Sequence, residues 1–157
     1  MKTLLILYSY HHKNTAKIAD IFAETLDAQV KSPLETDSSE LAGYDLVGFG
    51  SGIYDYKNHK TLLEFADKLP QVNEKKAFIF STSGVAMDSK IFRNAKHFHD
   101  ALREKLQSKG YSIAGEFNCP GFNTNSFLKY IGGMNKGRPN EDDAKKANDL
   151  AKKFLEK

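Results

Sequence analysis

The chain has 157 residues, 40% of them hydrophobic, which is enough to bury a core, and its one cysteine excludes an internal disulfide. Its net charge of +3 comes from 23 Lys and Arg scattered among 20 Asp and Glu, without the basic stripe of nucleic-acid-binding domains. Because no apolar run approaches the roughly 20 residues of a membrane span and no cleavable leader is evident, we expect a soluble, cytoplasmic protein that binds no nucleic acid.

Apolar runs alternate with helical patterns along the chain. Runs typical of strands lie at residues 4–8, 28–31, 45–50, 76–80 and 111–117. Helical spacing occurs at residues 16–26, 62–69, 91–109 and from 140 onward. Strands that alternate with helices form a parallel sheet covered on both faces. Since we find no repeat, low-complexity tract or linker, we expect one domain over residues 1–157.

Ligands in such an open sheet bind beyond the carboxyl ends of the strands, where the strand order reverses. The corresponding loops are residues 9–15, 50–59 and 81–88, after the first, third and fourth strands. Each is rich in glycine, hydroxyl or aromatic residues. We therefore expect these three loops to build the binding site.

The first loop combines polar side chains with the start of a helix. The first four N–H groups of a helix lack intrahelical partners and carry a partial positive charge, so a phosphate binds there favourably. Hydroxyl and amide groups can add hydrogen bonds to the phosphate oxygens. In the alternative interpretation, Asn14 or Thr15 is only the helix N-cap and Ser9 only a turn residue. The loop reads Ser9, Tyr10, His11, His12, Lys13, Asn14, Thr15.

Together the three loops resemble those of the flavodoxin family, which holds flavin mononucleotide (FMN) at the carboxyl edge of a parallel sheet. Asn14-Thr15 matches the usual end of the family's hydroxyl-rich phosphate loop. Residues 50–55, Gly-Ser-Gly-Ile-Tyr-Asp, are similar to the segment that places an aromatic ring against the flavin. Residues 81–84, Ser-Thr-Ser-Gly, are similar to the segment on the other side of the ring. The resemblance covers nearly the whole chain.

The resemblance implies an α/β fold: a flavodoxin-like, doubly wound, five-stranded parallel sheet in the order 2-1-3-4-5, with helices on both faces. It also implies FMN as the cofactor, with Tyr54 where the family stacks an aromatic on the flavin, an interaction of about 1 kcal/mol. Tyr10, Tyr56 and Phe122 are further stacking candidates. No catalytic residue or metal ligand is predicted. The implied cofactor-binding residues are Ser9, Tyr10, His11, His12, Lys13, Asn14, Thr15, Ser51, Gly52, Ile53, Tyr54, Asp55, Ser81, Thr82, Ser83 and Gly84.

Two places depart from the usual flavodoxin pattern. His11, His12 and Lys13 stand where most flavodoxins have a small residue and glycine, and they either add cationic contacts to the phosphate or point to solvent. Asp55 stands where many flavodoxins have a glycine whose peptide turns toward N5 of the one-electron-reduced flavin. Because positive φ is disfavoured without glycine, we expect that state to be less stabilised here, unless Asp55 only turns the loop.

The function that the resemblance implies is that of a small, monomeric electron-transfer protein, which meets a reductase and an acceptor protein. An FMN-dependent oxidoreductase is the alternative, because Gly50, Ile53, His59 and residues 64–65 also resemble flavodoxin-like protoporphyrinogen oxidases. A quinone or NAD(P)H reductase belongs to the same alternative. A response-regulator receiver does not fit, since the first and third strands end without acidic residues. The lack of a motif for a second substrate favours the carrier.

Other features outside these loops have less specific interpretations. Residues 118–139 are too long for an ordinary connection, and they form either a docking lip for a partner or packing on the sheet edge. Cys119 is expected to be a buried small residue rather than a reactive thiol. We find no catalytic triad or metal-ligand spacing, and we expect His97 and His99 at the surface. The mildly basic charge predicts a flavin potential less negative than in acidic flavodoxins.

Overall fold

Five parallel strands form the centre of the computed structural model, which describes residues 1–10, 13–122 and 132–156. The elements are β1 (Thr3–Tyr8), α1 (Asn14–Leu26), β2 (Gln29–Lys31), β3 (Leu46–Tyr54), β4 (Lys57–Asn58), α2 (Lys60–Asp67), β5 (Lys75–Ser83), α3 (Asp100–Ser108), β6 (Tyr111–Pro120) and α4 (Glu141–Leu155), with 3-10 helices at Ser38–Gly43 and Arg93–His97. The parallel strands lie in the order β2-β1-β3-β5-β6, and the short β4 pairs antiparallel with β3. Counted as parallel strands, this is the predicted order 2-1-3-4-5.

The sheet separates two hydrophobic clusters, because successive residues of a strand point to opposite faces. In β5, Ala77 and Ile79 belong to the cluster that includes residues of α2 and α3. Phe78 and Phe80 belong to the other cluster, with residues of α1 and α4. None of these four residues has exposed surface. The helices therefore cover both faces of the sheet, as predicted.

Two glycines of β3 make room for phenylalanine rings of the neighbouring strand. A Cβ atom at Gly50 would lie 2.1 Å from the ring of Phe80, and one at Gly48 would lie 2.5 Å from the ring of Phe78. Carbon atoms do not approach so closely without displacement of one side chain. The centroids of the two rings lie 5.8 Å apart, with 29° between the ring planes. Glycine at these positions is therefore a packing requirement of the large aromatic cluster.

The helices differ from the sequence pattern in one place. The predicted helix over residues 91–109 is wrong in its first half, because α3 begins only at Asp100. Ile91 continues the apolar spacing, but its side chain is 84% exposed. Burial of this side chain therefore does not stabilise a helical turn there. Within the described ranges, no helix is both long and apolar enough to span a bilayer. The buried residues that produced the pattern are Ala95, Phe98, Leu102 and Leu106.

Three strands continue past their predicted ends, into residues that we expected in loops. β3 runs to Tyr54, β5 to Ser83 and β6 to Pro120, beyond the predicted ends at 50, 80 and 117. The additional residues are held by pairing with the next strand, as in Ser51 with Ser81 and Ser81 with Asn118. Glycine and hydroxyl residues favour loops locally, whereas the ladder keeps them extended. The walls of the ligand edge are consequently rigid strand ends.

Candidate functional site

The carboxyl ends of β1, β3, β5 and β6 surround one pocket. The pocket encloses about 60 Å³, room for a small polar group, so a larger ligand has to extend across its rim. Gly121 and Phe122, just after β6, also line the pocket. Phe122 was named as a further stacking candidate, whereas Gly121 was missed as a site residue. Its position after a fourth strand end is the signal that could have found it. The predicted residues on the wall are Tyr10, Asn14, Thr15, Gly52, Ile53, Tyr54, Thr82, Ser83 and Gly84.

Helix α1 begins at the pocket without a side-chain cap. Lys13 occupies the N-cap position in left-handed backbone, with φ of 52°, and its side chain makes no capping hydrogen bond. The interpretation of Asn14 or Thr15 as the cap is therefore wrong. Both residues open the helix, where backbone N–H groups have no intrahelical acceptor. The next amide, that of Ala16, donates to Oγ of Ser9 at 3.2 Å.

Asn14 joins the start of α1 to the end of β6. Its Nδ2 donates to the carbonyl of Phe122 at 2.8 Å. Its Oδ1 is buried and accepts no hydrogen bond from the part of the chain that the structure describes. A Cβ atom at Gly121 would lie 2.6 Å from Nδ2 of Asn14, so glycine permits this close approach. The free Oδ1 can accept a hydrogen bond from a donor on a ligand in the pocket.

Further hydrogen bonds connect the other loops around the pocket. The hydroxyl oxygens of Thr15 and Thr82 lie 2.8 Å apart, and both residues are buried. Asn135 donates from Nδ2 to the carbonyls of Gly84 at 2.8 Å and Gly121 at 3.2 Å. These bonds fix the first loop, the third loop and the end of β6 relative to one another.

Tyr54, the predicted stacking residue, presents its ring at the pocket. The ring of Tyr10 lies parallel to it, with centroids 5.5 Å apart and 6° between the ring planes. His59 contacts the Tyr54 ring edge-on at 5.1 Å. Burial raises the pKa of the Tyr54 hydroxyl, and its contact with Tyr10 raises it further. Tyr54 is therefore a neutral, flat surface to which an aromatic ring can bind.

His59 packs against these rings and also caps the start of α2. Its ring stacks on Tyr8 with centroids 4.3 Å apart. Its Nδ1 accepts a hydrogen bond from the backbone N–H of Thr61 at 3.1 Å. Burial, and secondly the charge of Lys60, lower the pKa of His59. The imidazole is therefore neutral at pH 7, with its proton on Nε2.

A two-residue turn connects β3 to β4 beside the pocket. Asp55 and Tyr56 both have left-handed backbone, with φ of 51° and 62°. This is the pattern of a type I′ hairpin turn, in which Asn, Asp or Gly is preferred first and Gly second. Asp55 thus turns the loop, and both residues are exposed. The tyrosine at the second position is unusual, since β-carbon contacts disfavour this conformation.

Ser51 lies beneath that hairpin rather than on the pocket wall. It has no exposed surface. Its Oγ accepts hydrogen bonds from Nδ2 of Asn58 at 3.1 Å and from the backbone N–H of His59 at 3.0 Å. It donates to the carbonyl of Gly52 at 2.7 Å. Ser51 therefore shapes the second loop from inside.

Ser81 is also buried beneath its loop, in a chain of polar side chains. Its Oγ lies 2.7 Å from Nε2 of His99 and accepts from Nδ2 of Asn118 at 2.8 Å. Nδ1 of His99 lies 3.2 Å from Oε2 of Glu116. The guanidinium of Arg103 donates one hydrogen bond to each carboxylate oxygen of Glu116. Burial by itself raises the pKa of Glu116, but the bonds from His99 and Arg103 outweigh burial and lower it to about 2.

The order Ser81, His99, Glu116 has the contacts of a nucleophile, base and carboxylate triad. The sequence analysis found no triad, and its expectation of His99 at the surface is wrong, since His99 and Ser81 have no exposed surface. His99 lies three residues before the buried Leu102, on the same side of the chain, which is the signal that was missed. Because Ser81 is fully buried, a substrate cannot reach it. The chain of hydrogen bonds instead holds the third loop in place.

Two further candidates, Lys13 and Asp55, lie outside the pocket wall. Lys13 and Asp55 are exposed, and His11 and His12 lie outside the described residues. Burial raises the pKa of the Cys119 thiol to about 12, which makes it unreactive at neutral pH. Across residues 1–10, 13–122 and 132–156, no group of three His, Cys, Asp or Glu side chains is arranged to hold a metal ion.

Comparison with known proteins identifies the family. A family model described as a flavodoxin domain matches residues 5–129. The chain belongs to the flavodoxin family. An uncharacterized protein of Methanocaldococcus jannaschii is 47% identical over 155 residues, which are 99% of both chains.

Two solved flavodoxins and one NADH:FMN oxidoreductase share the fold of this chain. Oxidised flavodoxin 2 from Bacillus cereus matches with a TM-score of 0.70 and 21% identity, over 99% of both chains. A flavodoxin from the domain Archaea matches with a TM-score of 0.67 and 16% identity, over 99% of this chain and 97% of that one. The apo form of an NADH:FMN oxidoreductase matches with a TM-score of 0.64 and 19% identity, over 98% and 88%.

The residues at the pocket fit the flavin nucleotide that this family implies. The uncapped start of α1 suits a phosphate. The unpaired Oδ1 of Asn14 suits a hydroxyl donor such as a ribityl group. The ring of Tyr54 already holds a parallel aromatic partner, which shows that its face accepts a flat ring. A phosphorylated, hydroxylated and aromatic ligand therefore has a complementary group for each of its parts.

Proposed function

We propose that this protein binds FMN and transfers electrons between protein partners. The observation that supports the proposal most directly is the meeting of an uncapped helix start and a flat tyrosine ring at one pocket. Bound FMN accepts and donates one or two electrons, and the protein tunes its potential and its accessibility.

In this proposal the start of α1 holds the phosphate. The backbone N–H groups of Asn14 and Thr15 donate to its oxygens, and the hydroxyls of Ser9 and Thr15 add further bonds. Lys13 supplies a positive charge, and His11 and His12 are proposed to do the same. The phosphate thus replaces the cap that the helix lacks.

The second and third loops enclose the flavin ring in the same proposal. Tyr54 stacks on one face, and residues 82–84 cover the other. The ring of Tyr10, which now lies parallel to Tyr54, moves aside so that the flavin can use that face. Oδ1 of Asn14 accepts a hydrogen bond from the ribityl chain. The bonds of Ser51 and Ser81 keep both loops in position.

We also propose that one domain spans residues 1–157, works as a cytoplasmic monomer and meets a reductase and an acceptor protein. The carrier is favoured over an enzyme because the sequence has no motif for a nicotinamide or quinone site. Light scattering during gel filtration tests whether the protein is a monomer.

Titration of apoprotein with FMN and with riboflavin tests the phosphate site. We expect flavin fluorescence to be quenched and FMN to bind more than about tenfold tighter than riboflavin, since charge-assisted bonds to the phosphate exceed neutral ones. Thr15→Val should reduce this ratio, whereas Thr25→Val, at the other end of the same helix, should not. Folded apoprotein that binds neither flavin would refute the proposal.

Mixing with reduced nicotinamide nucleotide under anaerobic conditions separates the carrier from the enzyme. As a carrier, the yellow protein should stay oxidised with NADH or NADPH alone and should bleach when a separate flavodoxin reductase is added. Rapid bleaching by the nucleotide alone would instead identify an FMN-dependent oxidoreductase.

A further inference from the structure

Two segments beside the pocket carry the net positive charge of the chain. Residues 55–60 and 84–97, which follow β3 and β5 at the carboxyl edge of the sheet, contain five Lys or Arg and two Asp. Their balance of +3 equals the +3 of the whole chain, so the remaining residues are neutral overall. The net positive charge of the molecule therefore lies at this part of the edge.

The cations of these two segments are exposed and unpaired. Lys57, Lys60, Lys90, Arg93 and Lys96 are all exposed, and none of them forms an ion pair with a described residue. Unpaired charges contribute to the long-range field around a protein more than neutralised ones. Away from this edge lysines pair with acids within 3.0 Å, as in Lys31–Glu40, Lys105–Asp67 and Lys145–Asp149.

Large apolar side chains are exposed among these cations. Ile91 is 84% exposed, Tyr56 59% and Phe92 51%. The ring of Tyr56 lies 6.2 Å from that of Phe98, which brings the second loop against the segment after β5. Apolar groups within a charged rim are the composition of a transient protein interface. We call residues 55–60 and 84–97 the basic rim.

We propose that the basic rim docks a redox protein that has an acidic surface around its own electron-transfer centre. This inference rests on the proposed electron-carrier function. A small anion needs a few cations that converge on one point, whereas these cations are spread over two segments with apolar side chains between them. Opposite charges raise the rate of encounter, and the exposed apolar groups bury against the partner.

Two triple variants with equal charge changes test the docking surface. Lys90→Glu, Arg93→Glu and Lys96→Glu reverse the basic rim. Lys76→Glu, Lys152→Glu and Lys153→Glu make the same change near the amino edge, where all three lysines are exposed. The probes are an acidic [4Fe–4S] ferredoxin, which in its reduced form gives one electron to the oxidised flavin, and the basic cytochrome c, which accepts one from the reduced flavin. Stopped-flow absorbance gives the second-order rate constants.

We expect the rate with reduced ferredoxin to fall as ionic strength rises from about 0.03 to about 0.3 M, because salt screens the attraction. The rim triple should lower this rate about tenfold at low salt and raise the rate with cytochrome c, and the amino-edge triple should change either by less than about twofold. Equal effects of both triples, or a faster reaction of the wild type with cytochrome c at low salt, would overturn the proposal.

Amide NMR shift mapping with the same ferredoxin does not depend on electron transfer. Shifts at residues 55–60 and 84–97 that disappear in the rim triple support docking there, and shifts at the amino edge or none at low salt refute it. Failure to bind FMN would contradict the proposed function. A flavin-loaded protein that shows no such shifts would contradict only the proposal of an acidic partner. If NADH alone reduces the flavin and only that reaction depends on the rim, the surface serves an anionic nucleotide instead.

Discussion

The ring of Tyr10 occupies the face of Tyr54 that the proposal assigns to the flavin. The two rings are parallel at 5.5 Å, and such contacts are worth roughly 0.5 to 1.5 kcal/mol. Tyr10 is nearly half exposed, so its departure requires little rearrangement of the core. At the scale of single residues, the affinity for flavin thus depends on a competition between two aromatic rings.

Replacement of Tyr10 by alanine removes that competition. We expect Tyr10→Ala to bind FMN up to about tenfold tighter, since the flavin no longer has to displace a stacked ring. The dissociation constant is measured by quenching of flavin fluorescence. Tyr56→Ala, which removes an exposed tyrosine from the next loop, should leave the constant unchanged. Weaker binding by Tyr10→Ala would mean that Tyr10 packs against the bound flavin.

Glu116 is the charged end of the chain of bonds behind Ser81, and its low pKa affects stability. Its pKa is about 2 in the folded protein against an ordinary value of 4.5. The carboxylate therefore stabilises the fold fully above about pH 5, and this contribution is lost as pH falls toward 2.

We expect Glu116→Gln to lower the free energy of unfolding by about 2 to 3 kcal/mol at pH 7, because Arg103 and His99 lose their charged partner. The difference from wild type should shrink between pH 5 and pH 3. Urea unfolding followed by circular dichroism at several pH values measures both. Glu104→Gln, at an exposed position of α3, is the matched control. A difference that stays constant over this pH range would contradict the assignment.

At the scale of elements, the hairpin between β3 and β4 combines a tight turn with an unfavourable residue. The turn places Tyr56 at φ of 62°, where any side chain beyond glycine costs about 1 kcal/mol or more. Ser51 holds both arms of the hairpin from within. The strain is therefore maintained by the buried hydrogen bonds of the second loop.

Tyr56→Gly creates the Asp-Gly pair that type I′ turns prefer. We expect it to raise the free energy of unfolding by about 1 kcal/mol, as measured in urea. Tyr56→Ala keeps the strained backbone while it removes the ring, so it should give no gain. Equal stabilities of the glycine and alanine variants would show that the turn is not strained.

At the scale of the whole molecule, the uneven charge should raise the flavin potential. Cations at the carboxyl edge favour the negative charge that a flavin gains on reduction. The midpoint potential should accordingly be less negative than in strongly acidic flavodoxins. An equally low potential would contradict this expectation.

A pair of double variants isolates the contribution of the edge. Lys57→Glu with Lys60→Glu should lower the midpoint potential in a spectroelectrochemical titration, because two cations next to the second loop become anions. Lys152→Glu with Lys153→Glu makes the same charge change at the end of α4 and should shift the potential much less. Equal shifts would mean that only the total charge matters.

The sequence by itself determined the parallel sheet, the two-sided covering by helices and the three loops of the ligand edge. These follow from local patterns: apolar runs of strand length, helical spacing, and glycine or hydroxyl residues after the strands. The family resemblance added the strand order, the expected cofactor and the position of Tyr54.

Only the tertiary structure decided which side chains face the pocket and which lie beneath it. Ser51 and Ser81 have the same local signature as Thr82, yet partners far along the chain bury them and hold their hydroxyls. The late start of α3 and the hairpin β4 likewise depend on contacts with other elements. Burial, pairing across strands and left-handed backbone at Tyr56 arise from distant contacts, and a local pattern contains no information about them.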